Sequence, residues 1–299
     1  MSMDSQPEST PKEFQFPNGD FQPLYQEVIN LPSDKQYEFL IHDYQNLIAQ
    51  VPFCLFQAGI LEEENLYDLY DQLAKKIKDL TKKPATFLQQ TNKKELVVTA
   101  SHLIEGVKQK LEPYFDQLAK INEKSKENIH GARAKIIAIK KFIPILENSI
   151  DFLEKPTSEN FNKLETEKIS LKELYRITAN NQTNDFADKI QKIPDIKVDG
   201  SEAIIFFNLF KNAQRYTSKN KPLFEVKKNK NGNIQVINYS NNSLIENFGL
   251  GKKGIEGQNG YGLYIATLMA AKKGLKIIPE QNKLANQNYM ISFTVVLPV

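Results

Sequence analysis

Apolar residues recur at three- and four-residue spacings through the first half of the chain, the period that places side chains on one face of a helix. Phe39, Leu40, Tyr44, Leu47, Ile48 and Val51 form the first such stripe. Ser33, after Pro32, is a plausible N-cap for it, and Pro52 is expected to kink or end it. Further helices are predicted over about Leu61–Leu80, Lys93–Ile121 and Asn128–Leu153, each long enough to pack in a bundle. Pro84 falls between the second and third, while Pro156, Thr157 and Ser158 mark the sharpest change of pattern in the chain. Residues 1–32 are polar and carry Pro7, Pro11, Pro17 and Pro23, the composition of a mobile or loosely docked arm.

Beyond Pro156 short β-type runs mix with helices. A helix is predicted from Glu165 to about Ala179, a short strand over Ile196–Val198, and a buried helix from Ala203 to Tyr216 with apolar residues on most faces. The runs FEVKK and NIQVIN, joined through Asn229 to Gly232, read as a hairpin, because an Asn231-Gly232 step suits a turn that needs positive φ. A helix over Tyr264–Lys273 and strands over Leu275–Ile278 and Tyr289–Leu297 complete the segment. The expected fold class is α+β. A helical region over 33–156 precedes a domain over 157–299, whose antiparallel or mixed sheet is covered by helices on one face.

Composition narrows the function classes. The length of 299 residues allows two domains, and 40% hydrophobic with 25% charged residues excludes a wholly disordered or fibrous chain. The 39 basic and 36 acidic residues leave only +3, far below the clustered excess that phosphate-backbone binding needs, so nucleic acid is not expected as the main partner. Cys54, the single cysteine, cannot form an intrachain disulfide, and with three scattered histidines it cannot complete a four-ligand zinc site. No stretch approaches the roughly 18 to 20 apolar residues that span a bilayer. The start, MSMDSQPESTPKEF, lacks the pattern of a secretion signal, so a cytoplasmic location is expected.

Two segments carry recognisable chemistry. In FFNLFKNAQRYT, residues 206 to 217, Asn208 and Asn212 are four apart and share one helical face, where two amides could meet a phosphate and its metal. Alone, that spacing better suits the polar edge of an amphipathic helix. The run GLGKKGIEGQNGYGLYI, residues 249 to 265, is Gly-rich and passes directly into a helix, an arrangement in which backbone N–H groups hold a phosphate chain. In this order the two resemble the ATP-binding domain of sensor histidine kinases, which shares its nucleotide fold with gyrase, heat-shock chaperone and mismatch-repair ATPases.

The match is to the N box, N-x-x-x-N-A-x-[KR]-Y, at Asn208, Asn212, Ala213, Arg215 and Tyr216, and to the G2 box, G-x-G-L-x-I, at Gly260, Gly262, Leu263 and Ile265. The resemblance covers roughly residues 165 to 299. It implies an α/β-sandwich that binds ATP and Mg²⁺, with Asn212 as the magnesium ligand. Asn208, Lys211 and Arg215 would then stand near the phosphates, Tyr216 beside the nucleotide, and Gly260, Gly262 and Leu263 in the phosphate loop. The hydrolytic relatives carry Glu where this chain has Asn208. An amide cannot serve as a carboxylate general base for water, which favours phosphoryl transfer over hydrolysis. The family's usual D-x-G-x-G is replaced by INYSNNS, residues 237 to 243, with Asn238 at the Asp position. Its carbonyl oxygen can accept the same hydrogen bond from an adenine amino group, without a charge. A branch related to peptide-sensing quorum receptors resembles this chain in that respect.

A histidine kinase also needs an imidazole with a neighbouring acid and a polar group one turn later. His42, Asp43 and Asn46 in IHDYQNLI resemble the H box, H-[DE]-x-x-[NT], and especially the H-D-Y-x-N form of the same branch. The resemblance makes Asp43 the base and Asn46 a helper in phosphotransfer or dephosphorylation. His102 has Leu103 and Gly106 at the corresponding positions, and His130 has Gly131 and Ala134. Spacing points the other way. Asn208 lies 166 residues beyond His42 but 106 beyond His102, and the shorter distance is closer to the single two-helix hairpin usual in the family. With His42 as acceptor the chain holds an extra helical pair. The family reading adds a homodimeric four-helix bundle and a response-regulator receiver domain as the partner whose aspartate takes the phosphoryl group. The alternative is a phosphotransfer or docking protein whose ATPase-like domain no longer binds nucleotide. An ATPase without transfer is disfavoured by Asn208.

Overall fold

The computed structural model describes residues 44, 47–81, 93–120, 127–154, 157–178, 186–217, 224–241, 262–284 and 288–297. The predicted arm over 1–32, the residues His42, Asp43 and Asn46, and Gly260 lie outside the described residues. Helix α1 spans Val51–Gln57, α2 Glu63–Thr81, α3 Lys93–Lys120 and α4 Glu127–Glu154. The predicted break at Pro52 takes the form of a new helix start. Residues 49–50 turn, and Pro52 sits in the first turn of α1, where its missing N–H costs no bond. Gly59, with φ of +70°, closes α1 in the left-handed region that favours glycine.

Successive helices α1 to α4 pack on one another, and α1 returns onto α4. Their shared core includes Leu47 and Leu55, Leu73 of α2, Leu111 of α3, and Ile139 and Phe142 of α4, all buried. Four helices of one chain thus bury most of their described apolar residues against one another, with Phe53, Phe56, Tyr67 and Ile137 left exposed. Among the described residues no helix is long and apolar enough to cross a membrane.

The second half corrects one prediction. Where a single helix was expected over Glu165–Ala179, there are α5 (Ser158–Thr166), β1 (Lys168–Ser170) and α6 (Leu171–Thr178). Glu167 is extended, and β1 pairs antiparallel with β2 (Lys197–Asp199). Ser170 then restarts the helix through reciprocal capping: its Oγ accepts from the Glu173 N–H at 3.2 Å, and the Glu173 carboxylate accepts from the Ser170 N–H at 2.9 Å. A periodic apolar pattern runs through both helices and hides the break.

Helix α7 (Phe186–Lys192) precedes β2, and α8 (Gly200–Tyr216) follows it directly. Next come β3 (Glu225–Lys228), β4 (Ile234–Ser240), α9 (Gly262–Lys273), β5 (Lys276–Lys283) and β6 (Tyr289–Val296). The four-stranded sheet has the order β3-β4-β6-β5, antiparallel throughout. The hairpin predicted at Asn229 to Gly232 forms, with Gly232 at φ of +85° and the Asn229 side chain accepting from the N–H groups of Asn231 and Asn233. Strand β5 runs past the predicted end because Pro279 is tolerated on an edge strand, paired among the described residues only to β6. Mixed helix and antiparallel sheet agree with the α+β expectation.

Helices α8 and α9 pack tightly together, α8 over β4 and α9 against β5. Six consecutive residues of α9, Ile265 to Ala270, are buried, as in a helix enclosed on every side. The apolar core continues across Pro156. Phe142 of α4 meets Phe207 of α8 at 4.6 Å between ring centroids, and Phe152 of α4 meets Phe161 of α5 at 5.1 Å.

Candidate functional site

Helix α8 opens with a capping box. The Asp199 carboxylate accepts from the Glu202 N–H at 3.1 Å, and the Glu202 carboxylate accepts from the Asp199 N–H at 3.2 Å. Gly200 follows because any Cβ there would collide with the Leu164 carbonyl of α5. From this fixed start, two turns bring the chain to Asn208, which is fully buried. Its Nδ2 donates to the Ile204 carbonyl at 3.0 Å, while its Oδ1 has no hydrogen-bond partner among the described residues. A bare buried amide oxygen costs about 1–3 kcal/mol.

What lies against that oxygen is the first residue of α9. A Cβ built on Gly262 would stand 3.2 Å from Asn208 Oδ1, 3.2 Å from Asn212 Oδ1 and 3.4 Å from Asn212 Nδ2. The two asparagines and the second G2-box glycine, far apart in sequence, meet in space. The first N–H groups of a helix lack intrahelical partners and carry the positive end of its dipole. Beside two amide oxygens, such a helix start joins donors suited to phosphate with ligands suited to a hard cation. The approach is close enough that glycine at 262 is what lets the start of α9 reach the two amides.

Asn238 is buried on β4, on the same face of the strand as the core residues Ile234 and Val236. That is the face beneath α8. Leu263 packs at the margin of the core. The Lys211 ammonium lies 5.3 Å from the centroid of the Phe207 ring, a cation–π distance. Arg215 is exposed and Tyr216 half-buried in the last turn of α8.

The far end of α9 holds a cluster that reading the sequence missed. Lys273 donates to the Asp199 carboxylate, and its Nζ lies 3.2 Å from Glu202 Oε1 and 3.3 Å from Glu165 Oε1. Burial works against ionisation of both Lys273 and Asp199. The hydrogen bonds and opposite charges outweigh it, so Lys273 is held above its ordinary range and Asp199 below the usual carboxylate range. One cation thus ties the end of α9 to the N-cap of α8 and to α5. The D-x-x-E spacing of Asp199 and Glu202 is the signal of this helix start in the sequence.

His102 falls in α3 and His130 in α4, with side chains outside the described residues. Of the H-D-Y-x-N segment, Tyr44 is described. It is fully buried, and burial first, then the carboxylates of Glu147 and Glu105, push its phenol far above its ordinary range. The chain matches no protein-family model and no curated protein.

Proposed function

We propose that this chain is a histidine-kinase-like protein of a two-component system, which takes a phosphoryl group from ATP onto His42 and passes it to a response-regulator aspartate. The observation that carries the reading is the convergence of Asn208, Asn212 and Gly262, with a buried amide oxygen left without a partner among the described residues. In this reading Asn212 would supply an oxygen to Mg²⁺, Asn208 would stand near the phosphates, and the first turn of α9 would hold them. Asn238 accepts from the adenine amino group, and Tyr216 lies beside the nucleotide. Lys211 and Arg215 add positive charge near the phosphates. Magnesium, when bound, neutralises charge on the phosphate oxygens.

At the acceptor, an imidazole nitrogen of His42 would bond to the γ-phosphorus as the bond to the bridging oxygen breaks and ADP leaves, Asp43 would take the proton of the ring, and Asn46 would assist one turn on. Amide rather than carboxylate at 208 supports transfer over hydrolysis. A cytoplasmic location, a homodimeric state and a receiver-domain partner belong to the same reading.

One feature favours the second reading, a phosphotransfer or docking protein without nucleotide. Helices α1 to α4 bury most of their described apolar residues within a single chain, as a phosphotransfer bundle would, although Phe53, Phe56, Tyr67 and Ile137 stay exposed. Calorimetry with a non-hydrolysable ATP analogue and Mg²⁺ separates the two. The kinase reading predicts micromolar binding that Asn212→Ala weakens at least about tenfold, a loss of roughly 1.4 kcal/mol. No binding at millimolar analogue supports the docking protein.

A further inference from the structure

Away from the nucleotide site, the outer edge of β3 borders a groove whose other wall is α7. Among the described residues, strand β3 ends the four-stranded sheet and is paired on one side only, to β4. The hairpin determines which backbone groups are left over. The Asn229 N–H donates to the Asn233 carbonyl at 2.9 Å, so those two residues are a hydrogen-bonded pair. Such pairs alternate along an antiparallel ladder. With Lys227 opposite Gln235 and Val226 opposite Val236, Glu225 and Lys227 bond to β4. The N–H and C=O groups of Val226 and Lys228 turn to the open edge.

The groove here has a volume of about 200 Å³. Its apolar lining is Ile193, Phe224 and Val226, each buried, and its charged lining is Lys189, Lys192 and Lys227 with Glu225. Glu225 is already engaged, by Lys227 at 2.5 Å and the Tyr239 hydroxyl at 3.4 Å. Lys189 also acts on Glu225 through its charge, and Lys192, Lys228 and Lys230 extend the positive rim. Lysines along an edge repel an identical edge, which works against a second copy of this strand. They attract a strand that carries carboxylates.

The geometry points to an extended acidic peptide segment of a partner protein as the occupant, added to the sheet at β3. Its main chain bonds to Val226 and Lys228, and its carboxylates face Lys189, Lys192 and Lys227. An apolar side chain alternating with them enters the space over Phe224 and Ile193. The site does not depend on nucleotide binding.

A fluorescein-labelled, end-blocked peptide of alternating glutamate and valine tests this by anisotropy on the full chain. Binding is expected to weaken at least about tenfold in the Lys189→Glu, Lys192→Glu double variant, to fall with added salt, and to vanish when the valine nitrogens of the peptide are methylated. On binding, amide exchange should slow at Val226 and Lys228. The double variant alters surface positions, and an unchanged thermal midpoint confirms its fold. Three results overturn the assignment: binding indifferent to N-methylation, no binding at millimolar peptide, or an oligouridylate that binds the same lysines more tightly than the peptide does.

Discussion

A methyl group at position 262 would stand 3.2 Å from the amide oxygens of both Asn208 and Asn212. Asn208 is fully buried and bonded back to Ile204, so it has little room to retreat. Asn212 is half-buried and can give way. In a helix interior Gly→Ala would gain up to about 1 kcal/mol of propensity, but 262 is the first residue of α9, where that gain is small. Overpacking against a fixed neighbour costs typically 1–3 kcal/mol and should win. Gly262→Ala is therefore expected to lose about 1–2 kcal/mol in urea denaturation and to weaken binding of the ATP analogue. Unchanged stability together with unchanged affinity would show that the approach is not tight. The i, i+4 pair of asparagines was visible in the sequence. The bare oxygen of Asn208 was not, because whether an amide is satisfied depends on what another element brings against it.

Helix α9 is held at both ends, by Gly262 against α8 and by Lys273 against three carboxylates. The Lys273 side chain is 11% exposed and that of Asp199 10%, so solvent screens this pair little. Removing one partner of a buried pair costs about 3–5 kcal/mol, and Lys273→Met should fall near the lower figure. The pH dependence has a definite sign. The folded-state pKa of Asp199 is depressed, so its contribution is present above the unfolded value of about 3.9 and is lost as pH falls through the lower, folded value. The folded-state pKa of Lys273 is raised, so its contribution is full below about 10.4 and is lost as pH rises through the higher, folded value. In Lys273→Met the carboxylates of Asp199, Glu202 and Glu165 face one another without a cation, and protonating them relieves the repulsion. The deficit against the native chain should be largest near neutral pH and shrink as pH falls into the carboxylate range, as urea midpoints at a series of pH values would show. A deficit independent of pH would contradict this account of the cluster. Long helices and the hairpin were legible from apolar period and turn chemistry. The break at β1 and the starts of α6 and α8 were not, because their signals are single capping residues, Ser170 with Glu173 and Asp199 with Glu202, inside a pattern that otherwise stays helical.

At the scale of the molecule, α4 connects the two halves. Its apolar residues serve the bundle through Ile139 and also meet α8 through Phe142 and α5 through Phe152. Pro156 reads in the sequence as a boundary, yet the core passes it. Periodicity tells which face of a helix is apolar but not how many neighbours share that face. A continuous core gives the sheet and its α8–α9 pair a fixed seat on the bundle. In the proposed reading, that seat joins the segment bearing His42 to the nucleotide site in one folded unit. In that reading the phosphoryl group passes between them, which incubation of the purified chain with γ-labelled ATP and Mg²⁺ tests. An alkali-stable, acid-labile label is expected that His42→Ala abolishes, Asn212→Ala strongly reduces and His102→Ala leaves unchanged. A label that persists in His42→Ala, or a native chain that acquires none while still binding nucleotide, would contradict that reading.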